Sequence, residues 1–335
     1  MRSRRHRIAV MAAVVFVFGL VVREGNRIYY IEPPFATLLD TSFENFTAVQ
    51  IGSFKTSMAE LLIIDLAYKD AQTQRISINR RMVSGERNEI FITELAMLVP
   101  ANITEAKHFD TSQLRVDYRK LNGVGQALIA PPFLMGSLKA DKESVANVLV
   151  IGIGGSQLNN FIHYNFPRLN ITAIELEQPM VDMAKKYFGL KEDANQRVIV
   201  MDGIKFLEEA VEKGLKYDAI YIDVCPTRFP RELTVMCPIP PMLDERVIRQ
   251  IRQCLKESGT MISKMLVFTV RVVEESEEIA DLYRKHFANC IVTPMPNQLN
   301  RVLVCSGEKV PKERFNLDLL LKSKAKFYED LGVRT

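Results

Sequence analysis

The sequence predicts an α/β protein: a doubly wound, seven-stranded mixed sheet with a small β-rich lobe ahead of it. Three observations lead to that class. From Asn147 onward, short apolar runs alternate with amphipathic stretches in the order strand, helix, strand. The first of these runs, residues 148–151, is apolar without a break, as strands buried on both faces of a parallel sheet are. Residues 26–100 instead carry closely spaced short segments rich in Ile, Val, Tyr, Phe and Thr.

The N-terminal segments are "RIYYIEPP", "FTAVQIGSF", "LLIIDLAY", "RISIN" and "EIFITELAMLV". Turn-forming residues separate them, and they read as an antiparallel lobe. Leu114, Tyr118, Leu121 and Val124 then recur near helical spacing, and Pro131-Pro132 is expected to stop that run. Beyond the first strand of the sheet, residues 157–164 form a short helix that ends before Pro167. "ITAIELE" is the second strand. Pro179 suits a first helical position; the helix there buries Met180, Met183, Ala184 and Tyr187 and stops at Gly189. "RVIVMD" is the third strand, Asp202 can cap the helix "GIKFLEEAVEKG", and "YDAIYID" is the fourth strand. A proline-rich loop spans residues 226–241, followed by a helix over 243–255, the strand "TMISKML" and a helix over 274–286. "NCIVTP" and "NRVLVCSG" close the sheet as a hairpin, which makes it mixed.

Charge is concentrated at the N-terminus. Lys and Arg total 44 against 40 Asp and Glu, and Arg2, Arg4, Arg5 and Arg7 account for the whole excess. The neutral remainder offers no clustered basic surface, so no nucleic-acid partner is expected. The arginines precede residues 8–22, fifteen residues without a charge. A basic segment followed by an apolar one reads as a secretory signal or a signal anchor, with a buried core helix as the competing reading. As a helix it would reach roughly 22 Å, short of a hydrocarbon core of roughly 30 Å. An uncleaved anchor would tie the protein to a membrane with its body on the lumenal side. The expected organisation is a signal or anchor over 1–25, a β-rich lobe over 26–111, a cofactor-binding domain over 112–310 and a helical extension over 311–335. Sequons begin at Asn45, Asn102 and Asn170, the last leading into a buried strand.

Cys225, Cys237, Cys254, Cys290 and Cys305 form no Cys-x-x-Cys pair, and the four histidines have no ligand spacing, so no metal site is expected. Cys225 and Cys237 flank one loop and could pair in an oxidising compartment. The competing reading leaves at least three of the five as buried free thiols.

In a doubly wound sheet the ligand lies beyond the carboxyl ends of the strands. The stretch "VLVIGIGGS" puts Gly152, Gly154, Gly155 and Ser156 there. Glycines let a ligand approach the backbone, and Gly155-Ser156 opens a helix whose N–H groups are free; a tight turn is the alternative. Glu175 ends the second strand 23 residues after Gly152, the distance at which a carboxylate accepts ribose hydroxyls. Glu177 competes for that role, and an exposed strand-end glutamate is the plainer reading. Asp202 and Gly203 end the third strand, where an adenine ring would lie. Asp223 ends the fourth and is the candidate catalytic base or positioning group, with a turn aspartate as the alternative.

These motifs, "VLVIGIGGS", "AIELE", "VIVMDGIKFL" and "YDAIYID", resemble those of class I S-adenosylmethionine-dependent methyltransferases, in the spermidine-synthase-like branch. The likeness is to eukaryotic methyltransferase-like proteins whose relatives methylate a translation elongation factor. It extends to "VDYRKLNGVGQALIA", "MCPIPPMLDERVIRQIRQCLKESGTMI" and "LNRVLVC", about residues 112–308. It implies a Rossmann-like fold, S-adenosylmethionine as cofactor and a protein among the candidate acceptors; a homodimer is a separate expectation. It also implies that Gly152, Gly154 and Gly155 line the methionine end, with Glu175 on the ribose and Asp202 near the adenine.

Two departures speak against polyamine synthesis. Aminopropyltransferases carry an aspartate in the glycine loop, and "GIGGS" has none. They also place two aspartates around the fourth strand's end, and "DVCP" keeps only Asp223. The rival readings are an aminopropyltransferase, and a catalytically silent binding protein on the same fold.

Overall fold

The computed structural model describes residues 20–24, 27–31, 46–70, 72–85, 91–103, 110–227, 233–295, 299–309 and 317–333. The four arginines, the apolar run up to residue 19 and the Asn45 sequon lie outside them. Residues 20–22, the end of that run, fall in a strand rather than a helix: β1 (Leu20–Glu24) pairs antiparallel with β2 (Arg27–Ile31). Among the described residues no helix is long and apolar enough to cross a membrane.

The lobe is a four-stranded antiparallel sheet, β3 (Phe46–Lys55), β4 (Glu60–Lys69), β5 (Ile76–Ser84) and β6 (Phe91–Ala96), paired in sequence order. Alternation along β4 and β5 turns Leu61, Ile63, Ile78 and Met82 into the core. Asp65 and Arg80 are buried with them. Arg80 donates through Nε and Nη2 to both carboxylate oxygens of Asp65, at 2.7 and 2.9 Å. It also donates to the carbonyls of Tyr187 and Thr111, which ties the lobe to the larger sheet's layer. A buried ion pair persists only when its remaining donors are satisfied, and here they are.

The helical spacing read over 114–124 gives a helix only from Gly123 onward. Val116 pairs with Met97 as an isolated bridge, and Val116 and Leu121 are buried. The helix α1 (Gly123–Ile129) starts where Asn122 accepts from the N–H of Gly125. Pro131 opens the next helix, α2 (Pro131–Met135), instead of only stopping a run, because its fixed φ suits a first helical position.

The mixed sheet contains β7 (Asn147–Ile151), β8 (Asn170–Glu175), β9 (Gln196–Val200), β10 (Tyr217–Ile222), β11 (Val235–Cys237), β12 (Leu255–Val267), β13 (Asn289–Pro294) and β14 (Asn300–Ser306). Its main path runs β13-β14-β12-β10-β7-β8-β9, and with β11 the sheet has eight strands where seven were expected. The short β11 pairs with β12 beside that path and lies inside the loop read as proline-rich. β7 to β10 and β12 run parallel, whereas β13 and β14 form the antiparallel hairpin. The helices are α3 (Gln157–Asn165), α4 (Gln178–Tyr187), α5 (Gly203–Glu212), α6 (Glu245–Cys254), α7 (Val272–Arg284) and α8 (Leu317–Asp330). Both faces of the sheet are covered: Val148 and Val150 enter one core, Leu149 and Ile151 the other. In the first core α8 buries Tyr328, whose hydroxyl donates to the Gln126 carbonyl of α1 at 2.8 Å.

Cys225 is bonded to Cys237, and Cys290 to Cys305 across the β13–β14 hairpin. Only Cys254 is a free thiol, so the expectation of at least three is corrected. The reason lies in the register, which sets Cys290 directly opposite Cys305. Burial pushes the Cys254 thiol up to about 11, which makes it inert.

Candidate active-site cleft

The carboxyl ends of β7, β8, β9 and β10 and the far part of β12 open into one cleft of about 640 Å³. β7 is the switch point: the chain leaves it towards β8 and β9, then returns to its other side as β10. The lobe supplies the opposite wall through Thr56 and Met58 and through Phe91–Glu94 at the start of β6.

Gly152 has φ +84°, and a Cβ there would lie 2.4 Å from the carbonyl oxygen of Asp223. No side chain fits, so bare backbone faces the cleft where β7 and β10 meet. Gly154 also lines the cleft, but Gly155 and Ser156 fall outside its lining. Gly155 packs against Thr93 of β6, and its N–H donates to the Thr93 hydroxyl at 2.9 Å. Ser156 is fully buried, with φ +59° and no hydrogen-bond partner for its hydroxyl. The two donors expected to face a ligand are thus turned inward, because the lobe packs onto this loop.

Glu175 is buried at the end of β8 and lines the cleft. Its carboxylate accepts from the N–H groups of Glu177 at 3.1 Å and Ile153 at 3.3 Å. Burial raises its carboxyl above the ordinary glutamate value, while those N–H groups pull the other way. Glu177 lines the same wall but is engaged elsewhere: it accepts from the N–H of Ser57 at 2.8 Å and from the Ser57 hydroxyl. Asp202 accepts from the N–H of Ile204 at 2.7 Å and of Lys205 at 3.4 Å through one oxygen, capping α5 as expected, and Gly203 lies beside it in the cleft.

Asp223 follows β10 and also lines the cleft. Its Oδ1 lies 3.4 Å from Nζ of Lys264 on β12. Lys264 was not singled out in the sequence, nor were Ser57, Thr93 and Asn122. Six of the eight expected site residues, Gly152, Gly154, Glu175, Asp202, Gly203 and Asp223, therefore share the cleft.

The model of the spermine/spermidine synthase domain matches residues 133–313, more than half of the chain. The chain belongs to that family. A Drosophila pseudoobscura pseudoobscura protein, an eEF1A lysine and N-terminal methyltransferase homolog, is 28% identical over 206 residues. The match takes in 61% of this chain but only 29% of that protein, so the chain spans less than a third of this curated relative. Two solved structures share the chain's fold. Human methyltransferase-like protein 13, in complex with SAH, has a TM-score of 0.51 at 23% identity, covering 63% of this chain and 90% of its own. Spermidine synthase from Thermotoga maritima has a TM-score of 0.52 at 13% identity, covering 85% of this chain and 88% of its own. The latter share is too large for the mixed sheet alone, so the likeness takes in the N-terminal sheet.

Proposed function

We propose that this cleft binds S-adenosylmethionine and that the chain transfers its methyl group to an acceptor, with a protein as the candidate the curated relatives suggest. The donor set at the strand ends carries this reading. Bare backbone at Gly152 accommodates a ligand pressed against the main chain. Each oxygen of Glu175 takes one backbone N–H and keeps a lone pair, enough to accept both hydroxyls of a ribose. Asp202 caps α5 through one oxygen and keeps the other for an adenine amine. When bound, the cofactor supplies a methyl group on a positively charged sulfur, which keeps the bond electrons as an acceptor lone pair attacks the carbon. The protein's task is then alignment and exclusion of water. Asp223 orients the acceptor and takes its proton, through the oxygen that Lys264 leaves open.

Calorimetry of the full chain with S-adenosylhomocysteine tests this. Binding is expected with Kd below about 1 mM, and no heat at that concentration overturns it. The family and the Thermotoga fold likeness favour a second reading, aminopropyl transfer. Product formation from putrescine and decarboxylated cofactor above background would replace methyl transfer with it.

We propose that the body lies in the lumen of the secretory pathway. The basic and apolar N-terminal segment supports this, and so do two disulfides, which persist in oxidising compartments. An acceptor there is an exported protein rather than an elongation factor. Protease protection of the expressed chain tests the compartment and separates a cleaved signal from an anchor; light scattering tests a homodimer.

A further inference from the structure

Lys264 is the one basic side chain among the described residues that wall the cleft. The parallel register sets Ser263 opposite Ile222, so Lys264 stands level with Asp223 one residue further along. The two side chains form an ion pair and are 17% and 27% exposed, so both keep a face towards the cleft. Among the described residues the wall's other carboxylates already have partners. Glu94 pairs with Arg81, Glu175 holds two backbone N–H groups, Glu177 holds Ser57, and Asp202 caps a helix.

We propose that Lys264 determines acceptor specificity by charge. It neutralises Asp223 and repels any acceptor that brings a second ammonium group, so the site takes a lone amine or an uncharged nucleophile. A diamine would set one cation on Asp223 and the other near Lys264, where no described carboxylate of the wall lacks a partner. Like charges a few ångströms apart in a partly desolvated cleft repel strongly. An amine carried on a polypeptide brings a single cation and avoids that conflict. The acceptor's position rests on the methyl-transfer reading; the charge selection rests on the Lys264–Asp223 geometry alone.

The test is putrescine binding by calorimetry to the full chain saturated with S-adenosylhomocysteine. Wild type and Lys264→Arg are expected to show no binding at about 10 mM, whereas Lys264→Met gains at least about tenfold in affinity. Retained exclusion in Lys264→Arg marks charge rather than packing as the cause. Equal putrescine affinity in wild type and Lys264→Met, or no gain in the variant, overturns the proposal. Should Lys264→Met fail to give a folded melting transition, Lys264→Gln is measured in its place. Absence of S-adenosylhomocysteine binding in wild type would overturn the cofactor reading alone. The putrescine titrations are then run on the unliganded chain, with the same expected order.

Discussion

Ser57 donates both its N–H and its hydroxyl to the carboxylate of Glu177, joining the turn after β3 to the end of β8 across 120 residues of sequence. Thr56 and Met58 on one side and Glu177 on the other line the cleft, so this contact fastens the lobe over its mouth. Ser57→Ala removes the hydroxyl's hydrogen bond and keeps the backbone one. At about 0.5–1.5 kcal/mol for one such bond, release of S-adenosylhomocysteine should quicken by about twofold to tenfold in stopped-flow measurements. The melting temperature should barely move, because the contact is exposed.

The two glutamates at the end of β8 should separate cleanly. Glu175→Gln replaces an acceptor oxygen with a donor and should cost about 1.5–3 kcal/mol of cofactor affinity, at least tenfold by calorimetry. Glu177→Gln should cost less than Glu175→Gln, since its carboxylate is already engaged by Ser57. Equal losses would assign the ribose to both.

Burial raises the Glu175 carboxyl, so it protonates at a higher pH than an ordinary glutamate. Ribose hydroxyls donate to the ionised form. Affinity for S-adenosylhomocysteine should therefore be full above the raised value and fall as pH drops through it. Folding stability runs the other way. The contribution from Glu175 is fully present below the ordinary glutamate range and is lost as pH rises through the raised value. Parallel titrations of affinity and unliganded melting temperature check the opposite slopes, and Glu175→Gln should flatten the affinity slope.

Gly152→Ala combines a positive φ with a collision against the Asp223 carbonyl. Gly214 also has a positive φ, +64°, but nothing lies within 4 Å of the Cβ it would gain. Gly214→Ala should cost only the conformational term, about 1–2 kcal/mol. Gly152→Ala should cost more in chemical denaturation and also abolish cofactor binding.

Arg80→Met leaves Asp65 buried without its partner and frees the carbonyls of Tyr187 and Thr111. Breaking a buried pair on one side costs about 3–5 kcal/mol, which urea unfolding would detect. Replacing both partners with apolar residues should recover part of that loss.

The parallel strands were legible because burial on both faces makes them continuous apolar runs, and their ends locate Gly152, Glu175, Asp202 and Asp223. Periodicity misled over 114–122, where Val116 and Leu121 are buried without forming a helix. The inward turn of Gly155 and Ser156 could not be read, because Thr93 lies 62 residues from Gly155 and leaves no local pattern. Lys264 sits mid-strand in "TMISKML" and looks like an ordinary polar alternation until the register brings it level with Asp223. The second disulfide did carry a signal. In the hairpin Pro294 faces Arg301, and counting four residues outward from each reaches Cys290 and Cys305.

The helix α8 lies beyond residue 313, where the family match ends, yet its Tyr328 is fully buried and holds the Gln126 carbonyl, while Phe327 packs on Phe133. At the other end, Arg80 and Thr93 reach into the matched region from well before residue 133. The unit of inheritance and the unit of cohesion are thus different objects in this molecule. A fragment trimmed to 133–313 would keep the strands that form the cleft floor, but would uncover Phe161 and Phe133, which pack on Tyr328 and Phe327, and lose the opposite wall. Such a fragment would be expected to aggregate rather than bind a nucleoside.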